Sequence, residues 1–308
     1  MERRQFLKLT AAAGAAATLP VVAGAGCGMA PLRPDGSPET LPLEGLMAQG
    51  ARTMWIAPHP DDECFCGSIL ARSRFYYGNP LHYLVLTHGD GGECCLPQGC
   101  HPDVATVRGR EMALVAERYR ATLRHECFFN APLPVESFPL RHEIYEKWCA
   151  KGDPLGVTVE EIRRFRPDLI LTFHPDWGGT GHPEHQLGSR LATTATKLAA
   201  DPAMTTEGLQ PHKVTRVYYM LNRVWLLRLF GRADPGPVTE SFDARVPCVP
   251  GMDCREFMLE ATRLHRTQDN DMGTVRRFYS LFGELDLRQV DPFSELHAPD
   301  EVIEFRTA

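Results

Sequence analysis

The 308-residue sequence has no glycine-rich phosphate loop of the dinucleotide-binding or Walker type, so nothing in it directly supports a nucleotide cofactor. It also has little net charge. The 33 Lys and Arg against 39 Asp and Glu leave −6, without the basic excess that a nucleic-acid partner calls for. Beyond residue 25 no apolar run approaches the roughly 20 residues that a membrane-crossing helix needs. No internal repeat is visible. What is present, 43% apolar and 23% charged residues, is ordinary globular composition, and the length suits one large α/β domain or two small ones.

The first 30 residues stand apart. Arg3-Arg4-Gln5-Phe6-Leu7-Lys8 is a twin-arginine pair, and Leu9 to Ala25 is an uncharged, Ala-rich run. That is the pattern of a twin-arginine export signal, with Ala23-Gly24-Ala25 as a small-x-small cleavage site. The expected destination is periplasmic or extracellular. Cys27, just past that site, leaves a lipid-anchored form open. The expected organisation is a signal over 1–30, a Pro/Gly/Ser-rich linker over 31–50 and a catalytic domain over 51–308.

Of the ten cysteines, nine remain beyond Cys27, an odd number. Cys94, Cys95 and Cys100 share a loop and can form a local disulfide in an oxidising compartment. A zinc knuckle using these and His101 is the competing reading, although its spacing is irregular. Cys64 and Cys66 read as small buried apolar residues.

Apolar runs at Thr53–Ala57, Leu81–Thr87, Cys127–Phe129, Leu169–Phe173 and Thr215–Leu221 read as strands. Helical patterns follow Leu43, Phe65 (to Tyr77), Asp103, Val157 (to Phe165), Gln186 (to Ala200) and Cys254 (to Arg266). Pro132 to Gly156, with four prolines, reads as a long irregular connection. The tail from Gly283 reads as loop with a final strand at Val302–Phe305. Strands alternating with helices predict a layered α/β sheet, whose ligands bind at the carboxyl ends of its strands.

Two strand-to-helix turns carry unusual chemistry. The first is Ala57-Pro58-His59-Pro60-Asp61-Asp62-Glu63, and the second runs from Thr172 to His185. In a parallel sheet both open on the same edge. His59, Asp62 and His185 supply two imidazoles and one carboxylate, the ligand count of a catalytic zinc site with a position left for water. Asp61 is then free to act as general base, and His182 to stabilise an oxyanion. Glu63 favours the first helical turn or orients a ligand, while His174 and Asp176 read as loop residues behind the site. Taken alone, either cluster is more often structural than functional; the pair is less easily dismissed.

These segments resemble the LmbE-like, or PIG-L, deacetylases. Ala57 to Glu63 resembles the first family motif, with Pro58 an added residue. Gly181-His182-Pro183-Glu184-His185 resembles the second, which usually has Asp where Glu184 stands. Thr87-His88-Gly89-Asp90, Arg108-Gly109-Arg110-Glu111 and Ala261 to Gln268, with His265 and Gln268, match further motifs in the family's order.

The resemblance implies a Rossmann-like, three-layer α/β/α fold with a mostly parallel sheet. It implies a zinc ion, with another divalent metal as the alternative, and removal of an N-acetyl group from a small-molecule or glycan substrate containing N-acetylglucosamine. It assigns metal ligation to His59, Asp62 and His185, the base to Asp61, transition-state stabilisation to His182, and substrate contacts to Arg108 and Asp90. Where some members carry a Tyr donor, this chain has Thr180. A non-catalytic carbohydrate-binding protein and an amidase acting on a non-sugar acyl group are the alternatives. Substrate choice is expected from the loops Pro132–Gly156 and Val224–Val249; oligomeric state is not legible in the sequence.

Overall fold

The computed structural model describes residues 41–222, 233–281, 283–291 and 293. The leader with Cys27, residues 31–40 of the expected linker, residues 224–232 of the second specificity loop and the expected strand at 302–305 lie outside the described residues. The five expected strands form the parallel part of one sheet: β1 (Thr53–Ala57), β2 (Leu81–Thr87), β3 (Thr122–Phe128), β4 (Leu169–Phe173) and β5 (Arg216–Leu221). The sheet order is β3-β2-β1-β4-β5, followed by β9 (Glu284–Val290) and β6 (Glu240–Asp243), both paired antiparallel.

Strands β1, β2, β4 and β5 are buried along their whole length, as strands covered on both faces should be. Alternate residues of β1 serve opposite faces. Trp55 and Ala57 enter one apolar cluster, Met54 and Ile56 the other. The first face is covered by α1 (Leu43–Ala48), α2 (Gly67–Ala71), α3 (Val104–Arg118) and, from late in the chain, α7 (Cys254–Ala261). The second is covered by α4 (Arg141–Lys151), α5 (Pro154–Phe165) and α6 (Pro183–Ala200). The result is a three-layer α/β/α fold. From β1 the chain builds outward to β2 and β3, then returns to β1's other side for β4 and β5. The order therefore reverses between β1 and β4, and ligands bind at such a reversal. The turns after these two strands are the two that carry His and carboxylate clusters.

Several expectations need correction. The helix expected from Phe65 to Tyr77 is a 3-10 turn (Asp62–Phe65), α2, and a π-turn (Arg72–Tyr76). Strand β3 starts five residues before Cys127. The connection after Pro132 contains α4, whose Ile144, Tyr145 and Trp148 are buried. Its prolines sit outside the helix or, as Pro154 does, at the first position of the next one. The late helix stops at Ala261, and two 3-10 turns carry the chain through His265 to Gln268 before α8 (Asp269–Tyr279). The tail supplies β9, in which Leu285 and Leu287 face the core between polar residues. Cys94 and Cys100 are joined as a disulfide, which removes the zinc-knuckle reading, and Cys64 and Cys66 are buried thiols.

Gly67 opens α2 beneath the first turn because there is no room for a side chain. A Cβ there would lie 2.5 Å from the Tyr119 hydroxyl and 2.7 Å from Met258 Cγ. Gly67→Val should therefore destabilise the fold by about 2–3 kcal/mol through overpacking. The check is the urea midpoint at constant slope; an unchanged midpoint would show that this contact yields freely.

Candidate metal and catalytic site

The first turn leaves β1 with its backbone tied down: Thr87 N donates to the Pro58 carbonyl at 2.8 Å. Asp61 then adopts a left-handed conformation, φ 93°, which is uncommon and costly for a residue with a side chain. One consequence is that Asp61 and Asp62 present their carboxylates separately. Asp62 Oδ2 accepts from the backbone N–H of His59 at 2.8 Å, closing the turn on itself. In the second turn Gly178 and Gly179 take φ of 63° and 72°, and a Cβ on Gly178 would lie 2.6 Å from His185 Cβ. His182 caps α6 by accepting from Glu184 N at 3.1 Å, and Pro183 starts the helix, so His185 lies in its first turn.

The two turns meet. Asp62 Oδ2 is 3.3 Å from His59 Nδ1, Asp62 Oδ1 is 3.0 Å from His185 Nε2, and the two ring nitrogens are 3.2 Å apart. All three residues are buried. The outer nitrogens of both rings are engaged elsewhere. His185 Nδ1 donates to the Gly178 carbonyl at 2.8 Å, and His59 Nε2 is bonded to Glu184. In the neutral tautomers this network selects, both inward nitrogens are lone pairs. In that neutral form two lone pairs and a carboxylate converge, which is a donor set for a cation. Around a tetrahedral divalent ion with bonds of about 2.0 Å, donor atoms sit about 3.3 Å apart, close to the spacing seen. The residues fit a metal.

A second convergent group, His59, His182 and Glu184, does not fit as well. The Glu184 carboxylate is already taken: it accepts from Asn130 Nδ2 at 2.7 Å, from Ala131 N at 2.9 Å and from His59. It orients the His59 ring. The added methylene relative to Asp is absorbed by this three-donor cradle.

Asp61, 5% exposed, pairs with Arg108 Nη2 at 3.0 Å. Arg108 also donates to the carbonyls of Pro60 at 2.6 Å and Gly89 at 2.7 Å. It reaches this place because Gly89 and Gly92 lack side chains; a Cβ on either would fall 2.5 Å from the guanidinium. Together with His59, Asp61, Arg108, Asn130 and His182, Gly91 and Gly92 line a small cleft. Asp90, just before them in sequence, is exposed and absent from that lining. Thr180 meets His185 Nδ1 at 3.3 Å, on the side of the ring away from the cleft donors. His174 is buried behind the loop, and Asp176 pairs with Arg190 at 3.0 Å.

Sequence reasoning missed Asn130, for which no local signal exists. It also missed how the late segment closes the site from below. His265 Nε2 meets Glu63 Oε1 at 2.8 Å, and Thr267 donates twice to Glu111, at 3.0 and 2.6 Å.

With no cation bound, burial works against a charged His59, but Asp62 and Glu184 outweigh it and hold the ring up to about 9 from an ordinary 6.5. Burial likewise opposes a charged Asp62, and His185 and His59 outweigh it and hold that carboxyl far below its usual range. A raised pKa adds stability that is complete below 6.5 and lost as pH rises through about 9. Chelator-treated protein should accordingly lose on the order of 3 kcal/mol between pH 6.5 and 10. The depressed Asp62 contributes above the ordinary carboxyl range, and that part is lost in acid. Thermal melts across pH, with and without added divalent metal, check this; an identical alkaline slope in both would contradict it.

The profile of the GlcNAc-PI de-N-acetylase (PIG-L) family matches residues 54–196, and that of the twin-arginine translocation signal matches residues 1–20. The 1D-myo-inositol 2-acetamido-2-deoxy-alpha-D-glucopyranoside deacetylase of Streptomyces scabiei is 31% identical over 230 residues, covering 68% of this chain and 70% of that protein. Its counterpart in Streptomyces avermitilis is 30% identical over 205 residues, covering 63% and 65%. Two solved structures share the fold. They are N,N'-diacetylchitobiose deacetylase from Pyrococcus horikoshii (TM-score 0.56, 16% identity, 83% of this chain and 91% of that one) and GalB, the 4-carboxy-2-hydroxymuconate hydratase of Pseudomonas putida KT2440 (TM-score 0.57, 14% identity, 80% and 99%). A deacetylase and a hydratase on one architecture show that the fold alone does not choose the reaction. With its motif-bearing turns side by side at the sheet's switch point, this chain belongs to the PIG-L family of LmbE-like proteins.

Proposed function

We propose that this chain is an exported, zinc-dependent N-deacetylase that hydrolyses the acetamide of an N-acetylglucosamine-containing substrate. The observation that carries this reading is the convergence of His59 Nδ1, Asp62 and His185 Nε2 beside a carboxylate, Asp61, that is not one of the three. The named activities of the Streptomyces relatives support it, and the twin-arginine signal supports action in the periplasm or outside the cell. Another divalent metal would serve the same donor set.

A metal bound by His59, Asp62 and His185 would polarise the amide carbonyl and make water acidic enough to attack near neutral pH. The remaining steps belong to the chain. Asp61 takes the proton of the attacking water and returns it to the departing amine nitrogen. Arg108 fixes the Asp61 carboxylate, and its Nη1 and Nη2 also hold the Gly89 and Pro60 carbonyls. His182 accepts from Glu184 N at Nδ1, so its neutral ring carries the proton on Nε2 and can donate to the oxyanion. Glu184 keeps His59 in the tautomer that offers Nδ1. Thr180, bonded at the far side of His185, steadies that ring and takes no part as an acid.

Asp61→Asn should lower kcat by about 10²–10⁴-fold while leaving metal content near one per chain, because Asp61 is base and not ligand. Acetate release from free, inositol-linked and oligomeric N-acetylglucosamine, together with metal analysis, tests this; equal turnover by the variant would remove the mechanism. Glu184→Ala should weaken metal affinity by about 10–100-fold, read by competition with a chelating dye. Undiminished affinity would show that the carboxylate does not orient His59. Failure of metal-loaded wild type to release acetate from every one of these sugars would overturn the substrate claim.

A further inference from the structure

The described residues include two neighbouring buried thiols that the catalytic reading does not use. Cys248 lies in β7 (Pro247–Val249), and Cys254 is the first residue of α7. Between them β8 (Met252–Asp253) turns back on β7, pairing Pro247 with Asp253 and Val249 with Met252. Cys254 N donates to the Val246 carbonyl at 3.0 Å, and Arg255 N to Ala244 at 2.8 Å, so the backbone on both sides of the pair is held. Cys254 Sγ lies 3.6 Å from the carbonyl of Pro247, the residue before Cys248, so the two side chains are neighbours. Both are buried in the apolar layer under the first catalytic turn.

The surroundings favour reaction. Arg72 donates to the Pro247 carbonyl at 2.8 Å, bringing a guanidinium to this corner. The Cys254 contact pulls the Cys248 thiol below its ordinary value; burial opposes it, and Arg118 and Arg72 add to it. Cys254 is shifted the other way, upward, by the same contact and by burial. Elsewhere the chain already carries the Cys94–Cys100 bridge, and its leader directs export.

We infer that Cys248 and Cys254 form a second intrachain disulfide once the chain reaches an oxidising compartment. One of the two thiols loses its proton and attacks the disulfide of a thiol–disulfide oxidoreductase or of oxidised glutathione. The other then loses its proton and attacks the mixed disulfide, releasing the oxidant's second sulfur as a thiol. One S–S bond forms, and the oxidant's disulfide is reduced to two thiols. The hairpin sets Pro247 opposite Asp253 and holds Cys254 Sγ 3.6 Å from the Pro247 carbonyl, so side-chain rotation is the movement that brings the neighbouring sulfurs to bonding distance. The bridge ties the β7–β8 hairpin to α7, which packs on α2 behind the metal-binding turn.

The test uses full-length protein exported with its own leader. Free thiols are alkylated in denaturant before digestion, and peptides are mapped by mass spectrometry before and after reduction. Where Cys94 and Cys100 are found unbridged, the sample is first equilibrated with glutathione disulfide until they are joined. The expected result is a Cys248–Cys254 linkage that resists alkylation until reduced. Both thiols alkylated in a sample whose Cys94–Cys100 bridge is intact, or either thiol linked elsewhere, would overturn the inference. The double variant Cys248→Ala, Cys254→Ala should melt about 5 °C lower than oxidised wild type. That gap should close when wild type carries reduced Cys248 and Cys254; a gap of the same size against that form would trace to lost packing and count against the bridge.

Discussion

Asp62 is the contact on which the site depends. Its two oxygens reach His59 at 3.3 Å and His185 at 3.0 Å, joining turns more than a hundred residues apart in sequence. Burying a carboxylate is costly unless an opposite charge or several hydrogen bonds compensate it. Here the backbone N–H of His59 compensates part, and two imidazoles face it with lone pairs. Such a cluster is stable with a cation at its centre or a proton in its place. The upward displacement of His59 is the electrostatic sign of that demand.

The rest of the site holds this cluster in register. The Gly178 carbonyl and Glu184 each occupy the outer nitrogen of a ring, fixing which nitrogen faces inward. Arg108 clamps Asp61 next to the cluster, through space opened by glycines at 89 and 92. Beneath, Glu63 meets His265 and Glu111 meets Thr267, so a segment two hundred residues downstream seals the floor. Each of these groups is buried and polar and has at least one partner, while Arg108 Nε, Glu63 Oε2 and His265 Nδ1 are buried without a hydrogen bond among the described residues.

Much of this was legible in the sequence, for local reasons. Continuous apolar runs marked β1, β2, β4 and β5 because a parallel strand is covered on both faces. His59, Asp62, His182 and His185 stood out because polar, titratable residues on strand-to-helix turns have few structural uses. Elements with weaker patterns were hidden. Strand β9 alternates leucine with polar residues over a short stretch, and α4 sits among prolines that in fact lie outside it. The late helix is broken after Ala261, and the turns that follow bring His265 to Glu63, a requirement set by a distant residue.

The sequence by itself determined the secondary-structure alternation, the export leader and the chemical character of the two turns, because these depend on neighbours within a few positions. Only the tertiary structure decided that β1 and β4 lie side by side, that Asp90 stays outside the cleft while flanking glycines admit Arg108, and that Asn130 helps hold Glu184. Those outcomes depend on which strands pair and which surfaces pack. Pairing and packing are settled by contacts between residues far apart along the chain, and local sequence carries no record of them.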